Sequence, residues 1–259
     1  MNSREQQLKA FNKLLDIMDE IREKCPWDQK QTIQSLRHLT IEETYELGDA
    51  ILDNDLSEIK KELGDLLLHI VFYAKIASEK NAFDIADVLD NINEKLVFRH
   101  PHVFGDFSVN NVEDVEKNWE KLKLKEGKNS VLEGVPKSLP AMIKASRIQD
   151  KASYAGFDWE EPNQVFDKVK EELIELSIEI EKGNTKNTES EFGDVLFSLI
   201  NYARFINVDP ESALEKTNKK FIQRFKFIEE AAKKEGRQLT DMTLAEMDIH
   251  WEKSKTFFK

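Results

Sequence analysis

The chain has 259 residues, 40% hydrophobic and 34% charged, with only nine glycines and six prolines; this balance excludes disordered and all-β classes and points to soluble, mostly helical domains. Its length predicts two domains of about 130 residues each. The formal net charge of −12 repels phosphate backbones, which excludes polymeric nucleic acid as a partner, and an acidic protein that handles small phosphates needs a metal cation between itself and them.

Residues 1–21 carry Leu8, Phe11, Leu15 and Met18 at helical spacing and predict an amphipathic first helix. Charges run through that helix, so it lacks the apolar centre of a signal peptide, and no apolar run has the length to cross a bilayer. A cytoplasmic protein with no membrane partner is therefore expected. Cys25 is the only cysteine, which excludes an internal disulfide and fits a reducing compartment. Pro26 breaks the chain before Trp27. A second helical stretch bears Glu42, Glu43 and Glu46, and Asn54 with Asp55 ends it. Glu62 and Asp65 open the next, whose apolar series runs through Leu63, Leu66, Leu67, Ile70, Phe72 and Tyr73. Pro101 and Gly105 are further breaks. His100 and His102, around Pro101, read as a capped loop and receive no chemistry.

The segment 126–140, EGKNSVLEGVPKSLP, collects glycine, serine and proline and is the expected linker between domains 1–125 and 141–259. Beyond it the chain repeats itself. Glu171, Glu172 and Glu175, then Glu191 and Asp194, reproduce the five acids of the first half at one constant offset, and Tyr73-Ala-Lys75 maps onto Tyr202-Ala-Arg204 at the same offset. With small shifts, Asn93 to Arg99 parallels Asn218 to Arg224, and Trp119-Glu-Lys parallels Trp251-Glu-Lys. A solvated acidic face does not require the same acids in the same frame twice, so the pattern reads as a duplicated functional unit. Both domains are expected to be all-α.

On a helix, residues three and four apart share a side, so Glu172 and Glu175, with Glu171 beside them, form an acidic strip; Glu191 and Asp194 form another on the next helix. Val165, Val169, Leu173, Leu176 and Ile180 make the expected buried stripe, with Glu172 at its edge. Like charges so placed call for a cation. Ligands that are all oxygen select a hard one, Mg²⁺ or Mn²⁺. The glycine within each Glu-x-Gly-Asp costs helix stability and hints at close approach of a helix or ligand. Lys220 and Arg224, with Asn218, could clamp phosphates, and Trp251 could either stack on a base or pack in the core. Lys168, one turn before Glu171, has Leu39 as its counterpart, which marks the second half as the better catalytic candidate. A di-iron carboxylate bundle would need Glu-x-x-His, which the chain lacks.

The acid pattern, with the stretches TIEETYEL, KKELGDLLLHIVFYA, FRHPHVFG, SLPAMIKASRIQDKASYAGFDW, VKEELIEL and SEFGDVLFSLINYAR, resembles two-domain MazG-type nucleoside triphosphate pyrophosphohydrolases along nearly the whole chain. The resemblance implies two tandem repeats of a MazG-type helical bundle unit, interlocked in a homodimer, that hydrolyse NTPs or dNTPs between the α and β phosphates to nucleoside monophosphate and pyrophosphate. It implies that Glu172, Glu175, Glu191 and Asp194 hold Mg²⁺ and that Lys168, Lys220, Arg224 and Trp251 contact the nucleotide; Glu171, beside the metal acids, and Asn218, beside the phosphate clamp, are added to these sets from the residue pattern, and Glu172 or Glu175 is the expected acceptor of the attacking water's proton. The first half would form a second site from Glu42, Glu43, Glu46, Glu62 and Asp65. The alternative reading is a non-catalytic module that binds metal and nucleotide.

Overall fold

A computed structural model describes residues 1–109, 111, 115, 122 and 130–258, and among them every regular element is a helix. The chain divides into two compact units, Met1–Val115 and Glu116–Lys259. This division lies ahead of the segment expected as linker. Of that segment, residues 130–140 run as turns, while 126–129 lie outside the described residues, as does Trp119.

The first unit contains α1 (Arg4–Lys24), α2 (Pro26–Gln29), α3 (Ile33–Leu52), α4 (Leu56–Ser78), α5 (Ile85–Arg99) and α6 (Pro101–Phe104). Each long helix begins at a residue that can satisfy the free N–H groups of a first turn. Ser3 and Gln6 form a capping box on α1, Thr32 and Ser35 another on α3, and Asp55 accepts from the Ser57 and Glu58 amides to start α4. α4 packs against α1 and α3 around Met18, Leu36, Val71, Phe72 and Ile76. Burying side chains of this size contributes about 1.5–3 kcal/mol each before chain entropy is set against it. His100 caps the end of α5, its Nδ1 2.6 Å from the Leu96 carbonyl, and its ring lies 5.6 Å from that of His102.

The second unit contains α7 (Ala141–Tyr154), α8 (Pro162–Glu181), α9 (Thr185–Phe205), α10 (Pro210–Lys234), a 3₁₀ turn (Leu239–Asp241) and α11 (Leu244–Ser254). α8 and α9 form its central hairpin, as α3 and α4 do in the first unit. The two hairpin corners correspond. Asn54 and Gly183 both take positive φ, at 54° and 67°, and the residues that follow them or lie next to them, Asp55 and Asn184, cap the returning helices. The duplication read from the acids therefore extends to backbone geometry.

The expected buried stripe on α8 needs correction. Val165 and Val169 are buried and so is Glu172, whereas Leu173 and Ile180 are exposed, at 49% and 58%. α9 covers the side of α8 that carries Val165, Val169 and Glu172, and this rotates the acid inward and leaves two apolar residues outside. α4 behaves likewise, with Leu63, Leu67 and Ile70 exposed.

Candidate active site

The hairpins bring the acids together. In the second unit, carboxylate oxygens of Glu172, Glu175 and Glu191 all lie within 4.8 Å of one another; in the first, those of Glu43, Glu46 and Glu62 do the same. Glu172 is 7% exposed and Glu62 only 2%. Asp194 and Asp65 sit one turn along from Glu191 and Glu62. Glu171 is exposed and turned toward Lys168, and Glu42 is exposed on α3.

Crowding of like charges shows in the titration of the group. Burial, then Glu175, Asp194, Glu172 and Glu179, push the Glu191 carboxyl above its ordinary range. In the first unit burial, then Asp65, Glu46 and Glu62, do this to Glu43. Each cluster therefore presents converging oxygens that repel one another, the donor set a hard divalent cation relieves. The residues present fit Mg²⁺ or Mn²⁺.

The internal counter-cation differs between the repeats. Lys168 Nζ stands 2.6 Å from Glu171 Oε1 and 2.7 Å from Glu172 Oε1, and these bonds hold its ammonium well above the usual lysine range. The first unit, with Leu39 at that position, uses the other helix. Lys61 on α4 is 2.9 Å from Glu62 and 3.4 Å from Glu58, and Ser190 occupies the matching place in the second repeat. Glu62 keeps its other oxygen, Oε2, buried and without a partner among the described residues.

The repeated Tyr-Ala-Lys/Arg also has a shared task. Lys75 pairs with Asp19 on α1 at 2.7 Å, and Arg204 makes a two-pronged contact with Asp158, at 2.8 and 2.5 Å. Each cation ties the acid hairpin to the segment that precedes it. A Cβ placed at Gly64 or Gly193 meets nothing within 4 Å, so among the described residues no other helix makes the close approach expected at these glycines.

Lys168, Glu172 and Asp194 line a cavity of about 610 Å³ together with Gln149, Phe157, Asp158, Trp159, Phe197, Asn201 and Arg204. The remaining nucleotide-binding candidates lie elsewhere. Arg224 donates through Nε and Nη2 to the Phe258 carbonyl at 3.0 and 2.7 Å, and its guanidinium lies 5.6 Å from the Trp251 ring, which packs on Phe221. Asn218 bonds Glu215, and Lys220 is half-buried on α10. None of these four lines the cavity. Sequence reasoning passed over Gln149, Asp158, Trp159 and Asn201; the available signal was a glutamine set among the apolar residues Met142, Ile143, Ile148 and Ala152 of α7.

The domain described as the MazG nucleotide pyrophosphohydrolase domain matches this chain twice, over residues 31–104 and 160–228, more than half of its length. The chain belongs to the MazG family. The nucleoside triphosphate pyrophosphohydrolase/pyrophosphatase MazG of Thermotoga maritima is 46% identical over 95% of both chains. A nucleoside triphosphate pyrophosphohydrolase of Escherichia coli is 39% identical over 96% of this chain and 98% of its own. Among solved structures, a mazG-related protein from Thermotoga maritima aligns at 29% identity and a TM-score of 0.39, covering 44% of this chain and 98% of its own. The first MazG segment spans α3 to α6, and the second runs from just before α8 into α10. Both acid hairpins thus fall inside MazG segments, whereas Gln149, Phe157, Asp158, Trp159 and Trp251 lie outside them.

Proposed function

We propose that this chain is a Mg²⁺-dependent nucleoside triphosphate pyrophosphohydrolase that works at its second repeat, with Mn²⁺ as a substitute ion. The observation that carries the reading is the convergence of Glu172, Glu175 and Glu191 within 4.8 Å beside Lys168, at the end of a cavity large enough for a nucleotide. The names and identities of the full-length relatives support it.

In the proposed reaction, water attacks the α-phosphorus in line as the bond from that phosphorus to the bridging oxygen breaks; the products are nucleoside monophosphate and pyrophosphate. Glu172, Glu175, Glu191 and Asp194, with Glu171 at the rim, would hold the ion, which neutralises phosphate oxygens and makes the attacking water more acidic. Glu172 or Glu175 takes the proton that this water loses. Lys168 turns from the acids to a phosphate oxygen. Lys220, Arg224 and Trp251 are assigned to nucleotide contact by the family resemblance, and Asn218 by its place beside the Lys220 and Arg224 clamp. In the first repeat, Glu42, Glu43, Glu46, Glu62 and Asp65 form a second ion site without the lysine of the first turn, and the reading gives that site a lesser part in turnover.

The apolar residues left exposed on α4, α8 and α9, among them Leu63, Ile70, Leu173, Phe192 and Leu196, support a homodimer that buries them. Among the described residues no helix is long and apolar enough to cross a membrane; a cytoplasmic location belongs to the proposal. The test is incubation with each common NTP and dNTP and Mg²⁺, with EDTA as control, followed by ion-exchange separation. Monophosphate plus pyrophosphate, lost with EDTA, is expected; diphosphate plus phosphate would refute the bond assignment, and no product from any nucleotide would favour a binding module.

A further inference from the structure

The constant offset that pairs the acids also pairs the residues around them. Val165, Lys168, Phe197, Ser198 and Asn201, which line the cavity of the second repeat, have Leu36, Leu39, Leu68, His69 and Phe72 as counterparts on α3 and α4. Leu36 and Phe72 are 1% and 3% exposed and close on Met18 of α1, and Leu39 and Leu68 pack against them. What is cavity in the second repeat is therefore core in the first. Glu43, Glu46 and Glu62 still converge beside that core, and Glu62 keeps Oε2 buried without a partner among the described residues.

His69 is the polar exception among the replacements. It is 7% exposed, and its Nδ1 has no hydrogen-bond partner among the described residues. A buried polar atom left so is rare and costly. Asp65 stands one turn earlier on the same side of α4, and helical side chains lean toward the N-terminus, so the ring inclines toward that carboxylate. Burial, against the pull of Asp65, holds the imidazole below its ordinary pKa, neutral and with a lone pair to give. After burial, Asp65 is also the group that acts most strongly on Glu43. His69 stands outside the three oxygens that converge within 4.8 Å and is linked to them through Asp65 and Glu43. Ser198, its counterpart, donates its hydroxyl to the Val195 carbonyl on its own helix at 2.9 Å.

Resting on the reading of these acids as an ion site, we propose that the first repeat holds a resident transition-metal dication, with His69 Nδ1 as a nitrogen ligand beside Asp65 and Glu43, in a site closed to nucleotide. An imidazole among carboxylates favours Mn²⁺, Co²⁺ or Zn²⁺ over Mg²⁺, which takes oxygen ligands. The second repeat, all oxygen and open to a cavity, takes its ion together with the triphosphate. In the first repeat the ion braces the α3–α4 hairpin whether or not substrate is present.

The test uses Mn²⁺ as the probe, because pulsed EPR identifies the nuclei bound to it. In the full chain Mn²⁺ should show coupling to a directly bound nitrogen, and that ion should show no phosphorus coupling when α,β-methylene dATP is added. The nitrogen coupling should be lost in His69→Gln and kept in His250→Gln. In excess Mg²⁺, His69→Gln should also weaken Zn²⁺ binding by at least about 10-fold in calorimetric titration. Because His69 is buried and its variant can fail to fold, the spectra of the unaltered chain also test the proposal without it. Oxygen neighbours only, nitrogen coupling that survives His69→Gln, or phosphorus coupling at the nitrogen-bound ion would overturn the proposal. None of these readouts depends on turnover. Hydrolysis without nitrogen coupling would remove the histidine site and leave the hydrolase, whereas nitrogen coupling without hydrolysis of any nucleotide would overturn the hydrolase and support the site.

Discussion

Lys168 Nζ lies 2.7 Å from Glu172 Oε1, so the most buried acid of the second cluster is neutralised by a lysine one turn earlier on its own helix. A metal ion entering the cluster competes with that ammonium, and a lysine displaced by the ion is free to reach a phosphate.

Lys168→Met should therefore have two opposite effects. Mg²⁺ affinity without nucleotide should tighten by about 10-fold, equivalent to about 1.4 kcal/mol, while kcat/KM for a triphosphate falls at least as much. Calorimetric titration of the ion and steady-state kinetics read these separately. Unchanged metal affinity would show that the ion pair does not guard the acids.

Glu172→Gln or Asp194→Asn should lower turnover by more than about 100-fold with helicity by circular dichroism preserved, since each removes ligand charge with little change of shape. Glu43→Gln and Asp65→Asn should matter less. Full activity in the first pair would remove the second repeat from the chemistry.

Arg204→Met should destabilise the second unit by about 1.5–3 kcal/mol, the usual worth of hydrogen bonds to a charged group, because both partners of the Arg204–Asp158 contact are only 24% exposed. Urea denaturation measures this, and the segment from Ala155 to Glu161 should become open to proteolysis. A midpoint equal to that of the unaltered chain would show the contact to be energetically neutral.

Glu246 supplies a pH prediction distant from the acids. Its carboxyl is held down to about 2 by Arg237, then by the Thr243 amide and hydroxyl, as it closes the capping box of α11. A lowered carboxyl pKa stabilises the fold above the ordinary value of 4.5, and the contribution is lost as pH falls through about 2. Glu246→Gln should accordingly lower the Tm at pH 7, and the gap to the unaltered chain should close between pH 4.5 and 2. A gap that persists in acid would assign the effect to packing rather than charge.

Much of this was legible along the chain because it is periodic or repeated. The helices follow from three- and four-residue spacing and from breaks such as Pro26 and Asn54 with Asp55, which act over one turn. Glu172 beside Glu175, and the recurrence of the five acids in the first half, are equally local. Membership of the MazG family was carried by those same phrases. Burial was harder to read. The spacing that put Leu173 and Ile180 in a buried stripe counts apolar residues on one helix, whereas exposure depends on which side α9 covers.

What the sequence by itself determined is the set of groups that touch within a turn or recur in frame: the acid hairpins, their capped corners, and the lysine that one repeat has and the other lacks. Only the tertiary structure decided which groups meet from distant positions. It drew Arg224 to the carbonyl of Phe258, and closed Asp158 onto Arg204 so that Gln149, Trp159 and the acids share one cavity. Those partners are separated by up to tens of residues, and no periodicity in the chain encodes such pairings; they exist because packing α7 and α9 against their neighbours leaves each charged group one place where its charge or hydrogen bond can be met.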